Sequence, residues 1–112
     1  MAENLRVFDG NVEEFLADIK KKDGVYFLDL YATWCGPCRN LLSRLPSIAA
    51  AYPNVTFIKH EHEKEESIGK HFGLSCFPTI CILKVTNGNV ELIKKFEGYN
   101  HSEVVSVLNN YK

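Results

Sequence analysis

The sequence predicts an α/β layer fold with a mixed sheet, parallel in its first half and finished by an antiparallel hairpin. Three observations carry that prediction. VYFLDLYA at 25–32 is almost continuously apolar, as a central strand covered on both faces must be. Helical and strand periods alternate along the chain on both sides of it. The last two strand-like segments are joined through Asn87-Gly88, a strong signal for a tight hairpin turn.

The elements follow in order. LRVF at 5–8 is a short strand. Asn11, with Glu14 three residues on, forms a capping box for a helix that turns Val12, Phe15, Leu16 and Ile19 inward, and KKKDG at 20–24 ends it. After the central strand, residues 36–51 are helical, with Leu41, Leu42, Leu45, Ile48 and Ala49 on the apolar face. Pro46 is expected to kink or divide this helix, because it has no N–H to return to residue 42. VTFIK at 55–59 is the next strand, the charge run KHEHEKEE at 59–66 a solvated loop, and KEESIGKHFG at 64–73 a short helix ending near glycine. PTICILKV at 78–85 and VELIKKFEG at 90–98 form the hairpin. A second capping box, Asn100 with Glu103, opens a final helix whose Val104, Val105, Leu108 and Tyr111 cover the sheet. No linker, repeat or composition break appears, so residues 1–112 read as one domain.

Composition bounds the function. A chain of 112 residues, 46% hydrophobic and 24% charged, can build a core without disulfide or metal staples. Thirteen basic residues against fourteen acidic ones, scattered along the chain, make no stripe for nucleic acid. The amino terminus has no apolar signal region and no segment reaches membrane-spanning length, so the expectation is a cytoplasmic protein with no membrane partner. In that reducing compartment four cysteines point to redox chemistry or metal binding before permanent disulfides.

TWCGPCR at 33–39 decides between these. Cys35 follows directly on the central strand and Cys38 lies one turn into the next helix, at the carboxyl edge of the sheet where α/β sites are built. Free N–H groups and the helix dipole there favour an anion, so Cys35 is the candidate nucleophile. Cys38, more shielded, is the candidate resolving thiol, which attacks Cys35 sulfur in a mixed disulfide. Pro37 suits the first helical turn, Gly36 clears space for an approaching chain, and Trp34 offers a flat apolar wall or plain core packing. Asp29 interrupts the central strand where an apolar residue would be cheaper. A buried carboxylate has a raised pKa, so it is the candidate proton acceptor for Cys38, directly or through water, with Lys59 as a possible partner. Zinc is disfavoured: Cys76 and Cys81 make no second close-spaced pair, and Cys81 lies in the apolar ICIL. A metal set of His60, His62 and His71 is outweighed by the solvated-loop reading, so no metal site is expected.

WCGPC, Asp29, Lys59, FPT at 77–79 and Gly98 together resemble the thioredoxin family, over essentially the whole chain. The resemblance implies a thioredoxin-like fold, with a central mixed five-stranded sheet flanked by four helices. It also implies a protein-disulfide reductase that carries electrons on a redox-active Cys35-Cys38 disulfide with no bound cofactor. Recycling by thioredoxin reductase, an NADPH-dependent flavoprotein, would involve NADPH and FAD only indirectly. The resemblance gives Pro78 a cis bond from Phe77, which sets the Phe77 backbone beside Cys35 to pair with an extended substrate strand. The implied platform is Trp34, Gly36, Pro37, Phe77, Pro78 and Gly98, with Tyr99 at the rim.

The chain departs from the family pattern in three places. Tyr31 replaces a second tryptophan, Ser43 stands where a helix proline is usual with Pro46 farther along, and Cys76 resembles the extra cysteine of some eukaryotic members. The last implies either a regulatory thiol, modified or linking two copies of an otherwise monomeric protein on oxidation, or an idle one. The Gly-Pro pair between the thiols differs from the pairs of oxidising relatives and of glutaredoxins. The alternative, a binding module or redox-sensitive inhibitor, is opposed by intact Cys35, Cys38 and Asp29.

Overall fold

The computed structural model describes residues 2–112. In chain order the elements are β1 (Leu5–Val7), α1 (Val12–Lys20), β2 (Gly24–Tyr31), α2 (Gly36–Ala51), β3 (Val55–Glu61), α3 (Ser67–His71), β4 (Thr79–Thr86), β5 (Asn89–Glu97) and α4 (His101–Leu108). Short 3₁₀ turns occupy His62–Lys64 and Asn109–Tyr111. The sheet order is β1-β3-β2-β4-β5. The β1, β3 and β2 strands run parallel, and β4 and β5 add antiparallel.

Side-chain alternation along β2 builds two layers. Phe27 joins Phe57, Ile80, Ile82, Leu41, Leu45, Ile48, Val104 and Leu108 on the face covered by α2 and α4. Leu28 and Leu30 join Phe15, Ile19, Ile58, Ile68, Cys81 and Leu83 on the other. Each such buried aliphatic or aromatic side chain contributes about 2 kcal/mol of transfer free energy, which makes these layers the main support of the fold. Asp29 is two residues from Phe27, so it belongs to the α2 face, within the layer that should be wholly apolar.

Local signals behave largely as expected. Asn11 and Glu14 close both halves of their capping box at 2.9 Å. Asn87 and Gly88 both take positive φ, 50° and 79°, as a two-residue turn matched to the strand twist requires.

Three expectations are corrected. α2 is not divided at Pro46, the second of the two outcomes expected there; the proline lies on the exposed face, where water can donate to the carbonyl its missing N–H leaves free. At α4 only half of the expected box forms: Asn100 accepts from the Glu103 N–H at 3.1 Å, and Ser102 Oγ donates to the same Asn100 oxygen at 2.9 Å. The run at 59–66 is not a solvated loop at its start, because β3 continues through His60 and Glu61, which pair with Leu30 and Tyr31 of β2. The helix after it is correspondingly shorter than 64–73.

Candidate active site

The two cysteines sit at the β2–α2 junction in unlike environments. Cys35 is the N-cap of α2, with extended φ and ψ of -87° and 122°, and Pro37 fills the first turn. The Cys38 N–H donates to Cys35 Sγ at 3.2 Å, which aims a backbone dipole at that sulfur. Cys38 is fully enclosed. Burial pushes its thiol up to about 12, and the hydrogen bond and charge of Cys35 and the charge of Asp29 push the same way. Asp29 is close enough to be felt by Cys38.

Asp29 itself has no exposed surface, and neither carboxyl oxygen has a hydrogen-bond partner. Burial raises it from 3.8 to about 7, with Lys59 pulling the other way. Lys59 is the direct β3 neighbour of Asp29 in register, yet no hydrogen bond reaches either oxygen; the lysine acts through its charge alone. A carboxyl so held is divided between its two protonation states near neutrality.

Around Cys35 lies a low apolar shelf. The Phe77-Pro78 peptide is cis, and Phe77 packs on the cluster of Ala32, Cys35 and Cys38. Two bonds hold this loop: Thr79 Oγ1 donates to the Cys76 carbonyl at 2.8 Å, and the Gly98 N–H donates to the Pro78 carbonyl at 2.8 Å. Gly98 has φ of +92°, which a side chain would resist. Trp34 is 64% exposed, its ring edge-on to Phe77 with centroids 5.6 Å apart, and its Nε1–H donates to Glu63 at 3.1 Å. At Gly36 nothing lies within 4 Å of where a Cβ would sit, so the backbone is open to an incoming chain. Tyr99 follows Gly98, and its hydroxyl pairs with His101 Nδ1 at 2.7 Å.

The thioredoxin family model matches residues 6–110. The chain belongs to the thioredoxin family. It is similar to the thioredoxin of Ophiophagus hannah, 28% identical over 103 residues that cover 91% of this chain and 94% of that one. Mitochondrial thioredoxin-3 of Saccharomyces cerevisiae is 36% identical over 90 residues, covering 80% of this chain and 67% of the relative. The solved thioredoxin of Trichomonas vaginalis superposes with a TM-score of 0.91 at 33% identity, covering 98% and 99% of the two chains. The fold is the thioredoxin fold, and the chain is a dithiol-disulfide oxidoreductase.

Within this family member the predicted residues gather unevenly. Cys35, Cys38, Trp34, Gly36, Pro37, Phe77 and Pro78 meet around the α2 N-terminus, with Gly98 joined to Pro78 and Tyr99 adjoining; Asp29 lies beneath in the sheet with Lys59 beside it. Cys76 is exposed beside the cis peptide, and Cys81 is buried in β4, its thiol pushed up to about 12 by desolvation. The histidines scatter: His60 is sealed in the core, His62 lies against Phe77 and His71 against Phe72. Among the described residues no group of His, Cys, Asp and Glu side chains is arranged to hold a metal. No helix there is long and apolar enough to cross a membrane.

Sequence reasoning missed three contributors. Glu63 and His62 were folded into the charge run, although they contact Trp34 and Phe77. Arg39 donates to the Thr33 carbonyl at 3.2 Å and so braces the loop before Cys35. An uncharged turn and a lysine in place of arginine would have looked the same by spacing, so no local signal marked them.

Proposed function

We propose that the chain, acting as one domain, is a general protein-disulfide reductase recycled by an NADPH-dependent thioredoxin reductase. The observation that carries this reading is the unpartnered Asp29 carboxyl, held near neutrality on the same side of the sheet as the shielded Cys38 thiol. Cys35 thiolate attacks one sulfur of a substrate disulfide. A Cys35–substrate disulfide forms, and the other substrate sulfur leaves as thiolate and takes a proton. Asp29 then accepts the Cys38 proton, directly or through water, and the Cys38 thiolate attacks Cys35 Sγ. The substrate leaves with its second thiol, two electrons have passed to it, and Cys35–Cys38 is a disulfide.

Lys59 tunes the acceptor by opposing the rise in its pKa. The shelf of Trp34, Gly36, Pro37, Phe77, Pro78 and Gly98, rimmed by Tyr99, receives an extended strand of the substrate through the free backbone of Phe77. The protein works in the cytoplasm as a monomer without a bound cofactor, NADPH and FAD acting only through the reductase. Exposed Cys76 links two copies when oxidised, a dimer that non-reducing electrophoresis should show and that Cys76→Ser should abolish.

Coupled reduction of insulin disulfides with NADPH and thioredoxin reductase tests the whole reading. Sustained NADPH consumption is expected; none would leave a redox-sensitive binding module as the better description. Cys38→Ser should trap mixed disulfides through Cys35. Absence of any adduct with an oxidised protein would contradict the two-step assignment.

A further inference from the structure

His62 plays no part in the chemistry above, yet two local costs converge on it. Its Nδ1 is buried with no protein hydrogen-bond partner, which is unfavourable for a polar atom in the interior. Buried Gly69 stands inside α3, where glycine is less favourable than alanine. One arrangement accounts for both. A Cβ built on Gly69 would overlap His62 Nδ1 and Cε1, so the imidazole fills the notch that the missing side chain leaves. Seated there, the ring meets Phe77 with centroids 5.6 Å apart and planes at 56°. Phe77 meets Trp34 at the same separation and packs on the Cys35 cluster. Phe77 is thus held between two rings, one of them locked by α3.

We propose that His62, seated in the Gly69 notch, is a positioning residue that fixes Phe77 and thereby sets how well the shelf receives a protein disulfide. The role needs the ring and its seat, not a proton on the imidazole, which is why an orphaned nitrogen is tolerated. It rests on the reading of Phe77 as part of the substrate shelf.

The test is a cycle of His62→Ala, Gly69→Ala and the double variant. Each is assayed with insulin and with 5,5′-dithiobis(2-nitrobenzoic acid), a small disulfide that reaches Cys35 without the shelf. Loss of one aromatic contact should raise KM for insulin about fivefold in His62→Ala with kcat nearly unchanged, while the small disulfide reacts at the parent rate. Gly69→Ala should reproduce this by displacing the ring, and it carries the same readout if His62→Ala does not fold. In the double variant there is no ring to displace, so its KM should match that of His62→Ala alone. An unchanged insulin KM in a folded variant, equal losses on both substrates, or additive effects in the double variant would overturn the proposal. A parent protein that reduces the small disulfide but not insulin would overturn the shelf on which it rests. Failure on both substrates would instead refute the dithiol chemistry.

Discussion

Two titratable side chains lie fully buried on neighbouring strands, Asp29 on β2 and His60 on β3, and the fold treats them in opposite ways. His60 has a carbonyl within 2.8 Å of each ring nitrogen, Phe8 on one side and Glu65 on the other. It therefore ties the segment after β1 to the turn before α3. Asp29 has no protein hydrogen-bond partner on either oxygen. Of these two groups the fold gives polar neighbours to one and leaves the other without a protein partner. An orphaned carboxyl costs about 1–3 kcal/mol, and under the proposed mechanism its retention near Cys38 serves chemistry where His60 serves structure.

The largest expected effect lies at Asp29. An unfolded aspartate loses its proton near 3.8, the folded Asp29 near 7, so between those values the native state holds a proton that the unfolded state has released. The raised pKa therefore costs nothing at low pH, and stability falls as pH rises across that window, by up to about 4 kcal/mol in all. Asp29→Asn should accordingly be more stable than its parent above the window, by up to about that amount, and no different near its lower end. Urea unfolding at both ends of the window measures the difference, and equal stabilities at the upper end would break the contrast. His60→Ala should have the opposite sign, a loss of about 3 kcal/mol at neutral pH from a cavity and the lost ring contacts to the Phe8 and Glu65 carbonyls, with reduction of a small disulfide retained. If activity falls while stability holds, His60 belongs with the chemistry instead. The smallest effect belongs to Lys59→Met: removing the charge that lowers the Asp29 pKa should move the pH profile of the resolving step upward by a fraction of a unit. A downward move would show that Lys59 acts otherwise.

The contrast also marks what the sequence could disclose. Asp29 was visible because a carboxylate inside VYFLDLYA violates the pattern of its own strand, and the thiol pair announced itself by spacing and by its place at a strand end. Its orphaned state was not visible, because a missing partner is a property of every surrounding element. His60 was hidden for a related reason. Its neighbours at 59–66 are charged, and only pairing with β2 carries β3 through it, while the carbonyl that receives it lies 52 residues away at Phe8. The same holds for His62 and Glu63, whose partners Phe77 and Trp34 come from other loops. Elements set by local chemistry, the Asn11 box and the Asn87-Gly88 turn, were legible in full. The span of α2 at 36–51 was legible too, but its continuity at Pro46 was not, since the cost of a helix proline depends on whether its face is wet.

The proposed transfer of the Cys38 proton to Asp29 sets the pH dependence of resolution. Its most direct test is the single-turnover rate at which a preformed Cys35–substrate disulfide resolves, followed against pH in the parent and in Asp29→Asn. The parent rate should rise through an inflection near the Asp29 pKa of about 7 as the carboxylate becomes available. Asp29→Asn should lose that inflection and run about 10- to 100-fold slower. Superimposable profiles across about pH 6 to 8 would contradict the claim.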